Sequence, residues 1–143
     1  MEQEQLKRLY HATVIKESKE PYHFNKGVQL GTEVLAYNPM CGDKYKLQIE
    51  QDQGRIKEGY FHGFGCALSK ASTSALLRAI EGKTPQEIID FCQSFIAAIN
   101  GGNECTFDQE ELQVMVELND LGSRSDCIKL SWEALLAHLE EKH

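Results

Sequence analysis

The sequence predicts an α+β fold: an N-terminal helix, a small three-stranded antiparallel sheet, then several helices packed on it. Three observations lead there. Apolar residues recur at helical spacing near the start of the chain. A central stretch alternates apolar and polar residues on either side of a glycine turn. The second half returns to helical spacing and carries helix-start signals.

In the first segment, Leu6, Leu9, Tyr10, Thr13 and Val14 line one face of a helix over residues 3–17. Pro21 and Gly27 bracket the loop that follows. Residues 33–37 form a short strand ended by Asn38-Pro39. Tyr45, Leu47 and Ile49 then alternate with Lys44, Lys46, Gln48 and Glu50, a strand with one wet face. Asp52-Gln53-Gly54 is a hairpin turn, and residues 55–62 are the returning strand. Its alternation breaks at Gly59, which marks a bulge or a close backbone approach.

Residues 67–81 form a helix rich in small residues and stopped by Gly82. Ala67, Ala71, Ser74 and Ala75 let it lie close against the sheet. Thr84-Pro85-Gln86-Glu87 is a capping box with proline at the first helical position. The helix it opens carries Ile88, Ile89, Phe91, Cys92, Phe95, Ile96 and Ile99 on a broad apolar face. After the loop "NGGNECTF", Asp108 and Glu111 form a second capping pair for a short helix bearing Leu112, Met115 and Val116. "LNDLGSRSD" is irregular. A last helix over about 127–141 buries Ile128, Trp132, Leu135, Leu136 and Leu139.

The 143 residues suit one domain, 1–143, with a sizeable core. The net charge of −7 argues against a nucleic-acid partner, because there is no cationic excess to neutralise phosphates. No apolar run approaches the roughly 20 residues that span a bilayer, and the charged N-terminus is not a secretory signal. The expected compartment is the reducing cytoplasm. There, five cysteines point to metal or thiol chemistry rather than to disulfides.

The cysteines differ in setting. Cys66 and Cys127 each stand at the start of a helix, the latter after Ser125-Asp126, either of which can cap. Helix N-termini offer unpaired N–H groups and partial positive charge, which favour thiolate. Cys41 lies in the turn "NPMCGD", two residues from Asp43. Cys92 falls within an apolar helix face and reads as core, and Cys105 lies in a polar loop. The spacing of Cys41, Cys66 and Cys127 matches no common zinc-finger pattern, so the residues alone leave a shared site open. His11 and His138 read as solvated or packing residues. His62, close to Cys66, is the best histidine candidate and also suits a surface strand. "SKASTS" lacks the G-x-S-x-G elbow of serine hydrolases, and "GFGCA" is neither a Walker A motif nor a dinucleotide fingerprint.

Taken together, "NPMCGD", "GFGCALSKASTSALLRAIEGKTPQEI" and "RSDCIKLSWEAL" resemble, in order, the three site motifs of the SufU/IscU family of iron–sulfur cluster assembly proteins. The opening "LYHATVIKESKEPYHFNKG" is similar to that family's first helix and loop. The resemblance covers nearly the whole chain and implies the SufE/NifU-like version of the fold. "DCIKLSWEAL" resembles the SufU type. IscU-type members place a histidine before the third cysteine, preceded by a Leu-Pro-Pro-Val-Lys chaperone motif. Here Asp126 precedes Cys127 and that motif is absent, which points away from an Hsp70-type chaperone partner.

The resemblance implies a zinc ion held by Cys41, Asp43, Cys66 and Cys127, with Asp126 as a rival to Asp43. Arg124 sits where SufU-type members often carry an arginine near the site. Three thiolates and a carboxylate suit borderline-soft zinc. Their net charge with the ion, −2, would be partly offset by Arg124, Lys44 or Lys129 and by the two helix N-termini. The implied function is a zinc-dependent sulfur acceptor in which Cys41 takes persulfide sulfur from a SufS-type cysteine desulfurase. The alternative is a non-catalytic scaffold on which a [2Fe–2S] cluster, or iron, is assembled on the same residues and passed to apo-proteins. Downstream iron–sulfur assembly proteins are implied as further partners.

Overall fold

The computed structural model describes residues 3–25, 27, 31–40, 42–101, 107–118 and 125–142. The chain runs through helix α1 (Gln3–Lys19), strands β1 (Thr32–Tyr37), β2 (Lys44–Asp52) and β3 (Arg55–Phe64), and helices α2 (Ala67–Ile80), α3 (Pro85–Ile99), α4 (Glu110–Leu118) and α5 (Ser125–Lys142). The sheet is antiparallel in the order β1-β2-β3. The expected α+β layout holds. Element ends move by a few residues because hydrogen-bonded ladders continue past the apolar pattern that announces them.

Alternation in β2 turns Tyr45, Leu47 and Ile49 inward, where all three are buried. Gln53 and Gly54 both adopt left-handed backbone, φ 54° and 78°, the mirror-image turn whose twist matches a two-residue hairpin. The expected irregularity is displaced from Gly59. The register shifts between Glu50 and Gln51, which face Glu58 and Ile56 and leave Lys57 unmatched. Gly59 is instead a close approach: a Cβ there would lie 3.0 Å from Leu77 Cδ2 and 3.1 Å from Ile49 Cδ1. Residues 23–25 run along the free side of β3. Asn25 N–H donates to the Phe61 carbonyl at 2.9 Å, and Phe61 N–H donates to that of His23 at 3.0 Å.

Helix α2 lies at the centre, touching α1, β3 and α5. Its residues from Leu68 to Leu77 are buried apart from Lys70. The serine run therefore does more than allow close approach. Ser72 Oγ donates to the Ile128 carbonyl at 2.6 Å and accepts from Trp132 Nε1 at 2.9 Å. Thr73 Oγ1 and Ser131 Oγ share a hydrogen bond of 2.6 Å. This buried polar seam sets α5 along α2. Behind it, the Trp132 ring stacks on Phe95 with centroids 4.0 Å apart. Cys92 is fully buried nearby, and burial pushes its thiol up to about 12, so it stays a neutral core residue.

The Thr84–Glu87 capping box is present with both reciprocal bonds. The other two expected caps are corrected. α5 begins at Ser125, so Ser125 and Asp126 occupy its first turn and Cys127 follows within it. At α4, the described bonds come from elsewhere than Asp108 and Glu111. The Gln109 carbonyl accepts from Leu112 and Gln113 N–H, and the Gln113 side chain accepts from Phe107 N–H at 2.8 Å. Among the described residues, no helix is long and apolar enough to cross a membrane.

Helix α1 is fastened by Glu17, a buried carboxylate that periodicity did not reveal. It accepts from Ser74 Oγ at 2.7 Å and from Arg78 Nη1 at 2.9 Å. The partly exposed Arg78 limits the value of the pair, yet removing the carboxylate strips the buried Ser74 hydroxyl of its acceptor. Glu17→Ala should destabilise the protein by about 2 kcal/mol. Urea denaturation of parent and variant checks this, and equal midpoints would contradict it.

Candidate metal centre

The chain enters the site through a tight turn. Asn38 organises it: its side-chain oxygen accepts from Met40 N–H at 2.9 Å and its carbonyl accepts from Gly42 N–H at 2.8 Å. Its own N–H donates to the Asp43 carbonyl at 2.9 Å. Gly42 sits at φ 80°, left-handed backbone that suits a residue without Cβ. The reversal delivers Asp43 to the mouth of β2, where it is only 6% exposed. Its Oδ2 is buried without a hydrogen-bond partner among the described residues.

Cys66 is the N-cap of α2, and its sulfur accepts from Ser69 N–H at 3.4 Å. A cysteine thus stands where serine or threonine usually caps. Ser69 Oγ holds the loop above it, donating to the Cys66 carbonyl at 3.1 Å and sharing a 2.8 Å bond with Tyr45 Oη. Cys127 comes from the first turn of α5, brought alongside by the hydroxyl seam. Both cysteines are half-buried and neither is in a disulfide. The two sulfurs and one Asp43 oxygen all lie within 4.8 Å of one another.

Three acidic groups so close repel one another once ionised, the more so out of water. No ion pair among the described residues involves Asp43. Tyr45 registers the same field. Burial pushes its phenol up to about 12; the Ser69 hydrogen bond opposes this, and the charges of Asp43, Cys66 and Cys127 add to the rise. The donor set fits a cation. Borderline-soft zinc takes sulfur and oxygen donors of this kind. It would also give the orphaned Asp43 oxygen a partner. The described residues supply three donors of the four such an ion takes.

Of the sequence candidates, Asp43, Cys66 and Cys127 come together. Cys41, Arg124 and Cys105 lie outside the described residues. Asp126 is not part of the cluster: its side chain is 82% exposed and lies 4.0 Å from Lys129 Nζ. Placement in the first turn of α5 aims it to solvent, one residue out of phase with Cys127. Lys129 donates to Asn100 Oδ1 at 2.9 Å, and Lys44 Nζ stands 6.0 Å from the centroid of the Tyr37 ring. His62 lies on the outer sheet face, opposite Lys46. His11 is exposed and His138 half-buried, both outside the cluster.

Sequence reasoning missed Ser69 and Tyr45. The signal for Tyr45 was its two-residue step from Asp43, just before β2; both are buried. For Ser69 it was the three-residue step from a capping residue.

A family model described as the NifU-like N terminal domain matches residues 9–141. The iron-sulfur cluster assembly scaffold protein IscU of Streptococcus pyogenes serotype M1 is 32% identical over 133 residues, covering 91% of this chain and 82% of that protein. The zinc-dependent sulfurtransferase SufU of Bacillus subtilis (strain 168) is 30% identical over 132 residues, covering 91% and 88%. A crystal structure of a hypothetical protein superposes with a TM-score of 0.76 at 30% identity, over 93% of this chain and 98% of the other. The N-terminal part of a nitrogen-fixing NifU-like protein from Brucella abortus shares the fold, with a TM-score of 0.77 at 16% identity over 94% and 96%.

Gly65 tests the packing around the cluster. A Cβ there would collide with Tyr45 Oη, come within 2.7 Å of Ser69 Oγ and lie 3.0 Å from Asp43 Cγ. Gly65→Ala should therefore displace the Tyr45–Ser69 pair, lower stability by about 1–3 kcal/mol and speed alkylation of Cys66. Thermal melts and timed iodoacetamide labelling with mass spectrometry check this; parent-like labelling and melting would show the contact to be slack.

Proposed function

The chain belongs to the NifU-like N-terminal domain family, and on that premise we propose that it works in iron–sulfur cluster assembly as a zinc-dependent sulfur acceptor. The observation that carries the reading is the cluster of Asp43, Cys66 and Cys127, with one carboxylate oxygen left for an ion. Asp43, Cys66 and Cys127 would hold the zinc, with Cys41 as the fourth donor. When bound, zinc keeps its thiol ligands deprotonated at neutral pH.

The remaining chemistry is the chain's own. Cys66 and Cys127, fixed on two packed helices, are the holding residues, and Asp43 is the weaker oxygen donor. Cys41 is assigned as the nucleophile. Its thiolate attacks the terminal sulfur of a cysteine persulfide on a cysteine desulfurase. The sulfur–sulfur bond of the donor breaks as a new one forms on Cys41. The desulfurase cysteine leaves as a thiolate, and Cys41 carries –S–SH. Aspartate in place of histidine before Cys127 supports the acceptor over the scaffold, since it removes the imidazole donor that the scaffold type carries there.

The purified protein should contain about one zinc per chain. Asp43→Ala and Cys66→Ser should each lose at least about 10-fold in affinity, and chelation should lower the melting temperature. Elemental analysis with competitive chelator titration measures both. A protein that stays metal-free in zinc medium would refute the ligand set.

Cys41→Ala should abolish stimulation of desulfurase turnover, read as alanine release from cysteine, while the domain remains folded. Undiminished stimulation would refute the nucleophile assignment. Anaerobic reconstitution separates the alternative. A visible [2Fe–2S] spectrum and rapid transfer to an apo-ferredoxin would replace the acceptor by a scaffold.

A further inference from the structure

The outer face of the sheet is divided by charge. The strand register places Tyr37, Lys44 and Phe64 in one row, and Leu35, Lys46 and His62 in the next. Further along come Glu33, Gln48 and Tyr60, then Glu50 with Glu58. The end of the sheet nearest Asp43 and Cys66 is thus basic and apolar in a chain of net charge −7, and the far end is acidic.

The same corner gathers exposed apolar side chains. Leu35 and Tyr37 are about half exposed, Phe64 is 66% exposed, and Met40, in the turn leading to Asp43, is 92% exposed. Singly scattered apolar residues are ordinary on a surface, but a grouped set marks an interaction site. Lys44, Lys46, His62, Gly63 and Phe64 also line a shallow hollow of about 250 Å³ with a mostly carbon wall. That volume accepts one leucine, methionine or phenylalanine side chain.

We propose that this corner is the docking surface for the sulfur-donating protein, which meets it with an acidic segment carrying one apolar anchor. The inference rests on the sulfur-acceptor reading above and names where the partner of that site sits. The anchor fills the hollow, and flanking carboxylates pair with Lys44 and Lys46. Buried anchors with charged rims are how compact protein interfaces gain affinity and steering. Lys44 directly follows Asp43 in the chain and Phe64 precedes Cys66 by two residues, so a protein seated here stands next to the cluster. A second copy of this chain is the poorer occupant. Its basic corner would repel this one, and its acidic end (Glu33, Glu50 and Glu58) carries only the part-buried Tyr60, which is hydrogen-bonded to Glu58, as an aromatic group.

The test titrates the full protein into a SufS-type cysteine desulfurase, with affinity read by calorimetry and alanine release read in parallel. The double variant Lys46→Glu with Phe64→Ser changes only surface side chains, so its circular dichroism and melt should match the parent. It should raise the half-saturating concentration at least tenfold and leave the plateau within twofold. Parent affinity should fall with added salt, more steeply than that of the variant. Cys41→Ala should bind like the parent and stimulate nothing.

Unmoved half-saturation in the double variant, with a stimulating parent, overturns the docking surface and leaves sulfur transfer standing. Binding that the double variant loses, with no sulfur moved by the parent, keeps the surface and overturns the transfer reading. A parent that neither binds nor stimulates overturns both. A parent that sediments as a dimer, a monomeric double variant and an unchanged desulfurase affinity would assign the face to self-association and overturn the proposal.

Discussion

Two hydroxyl-bearing stretches, one on α2 and one on α5, hold the register on which the rest of the arrangement depends. Ser72 reaches the Ile128 carbonyl and takes the Trp132 indole N–H, and Thr73 meets Ser131. All of these groups are buried. A buried hydroxyl without a partner is costly, so the pairing has few alternatives. An interface of leucines tolerates sliding and repacking; this seam does not. Fixing α5 along α2 brings Cys127 beside Cys66, and the sheet then needs only to deliver Asp43.

The cluster so formed is at odds with the economy of the rest of the interior. Elsewhere buried polar groups are matched: Glu17 with Ser74 and Arg78, Ser69 with Tyr45. At the mouth of β2 a carboxylate oxygen has no hydrogen-bond partner among the described residues and lies in a cluster with two thiols. Local violations of otherwise consistent packing are expected where function requires them. The surrounding rigidity keeps the violation in place. Gly65 is hemmed in by Tyr45, Ser69 and Asp43, so the strand and the helix start have little room to part.

The two faces of the sheet serve different ends. Inward residues of β1, β2 and β3 join the core with α2 and α5. Outward residues are sorted into a basic, apolar end and an acidic end, although the chain as a whole is acidic. Similar proteins carry names that divide between scaffold and sulfurtransferase. In this chain Asp126 stands before Cys127 and is turned to solvent, near Lys129.

Helix and strand identities, the Thr84 capping box, the burial of Cys92 and the place of Cys66 at a helix start were all legible in the sequence. Each depends on neighbours within a few residues, through periodicity, cap chemistry or turn geometry. The motifs also marked Asp43, Cys66 and Cys127 as candidates for one site. Only the tertiary structure decided the matters that join distant residues. These are the Ser72–Trp132 seam, the Glu17 clamp on α1, the register shift opposite Lys57 and the early start of α5 that turns Asp126 away. The reason is physical. A serine in a helix carries the same local signal whether its hydroxyl meets solvent or a carbonyl 56 residues away, as Ser72 does. Propensity depends on the chain nearby, and the partner of a buried polar group depends on how the helices pack.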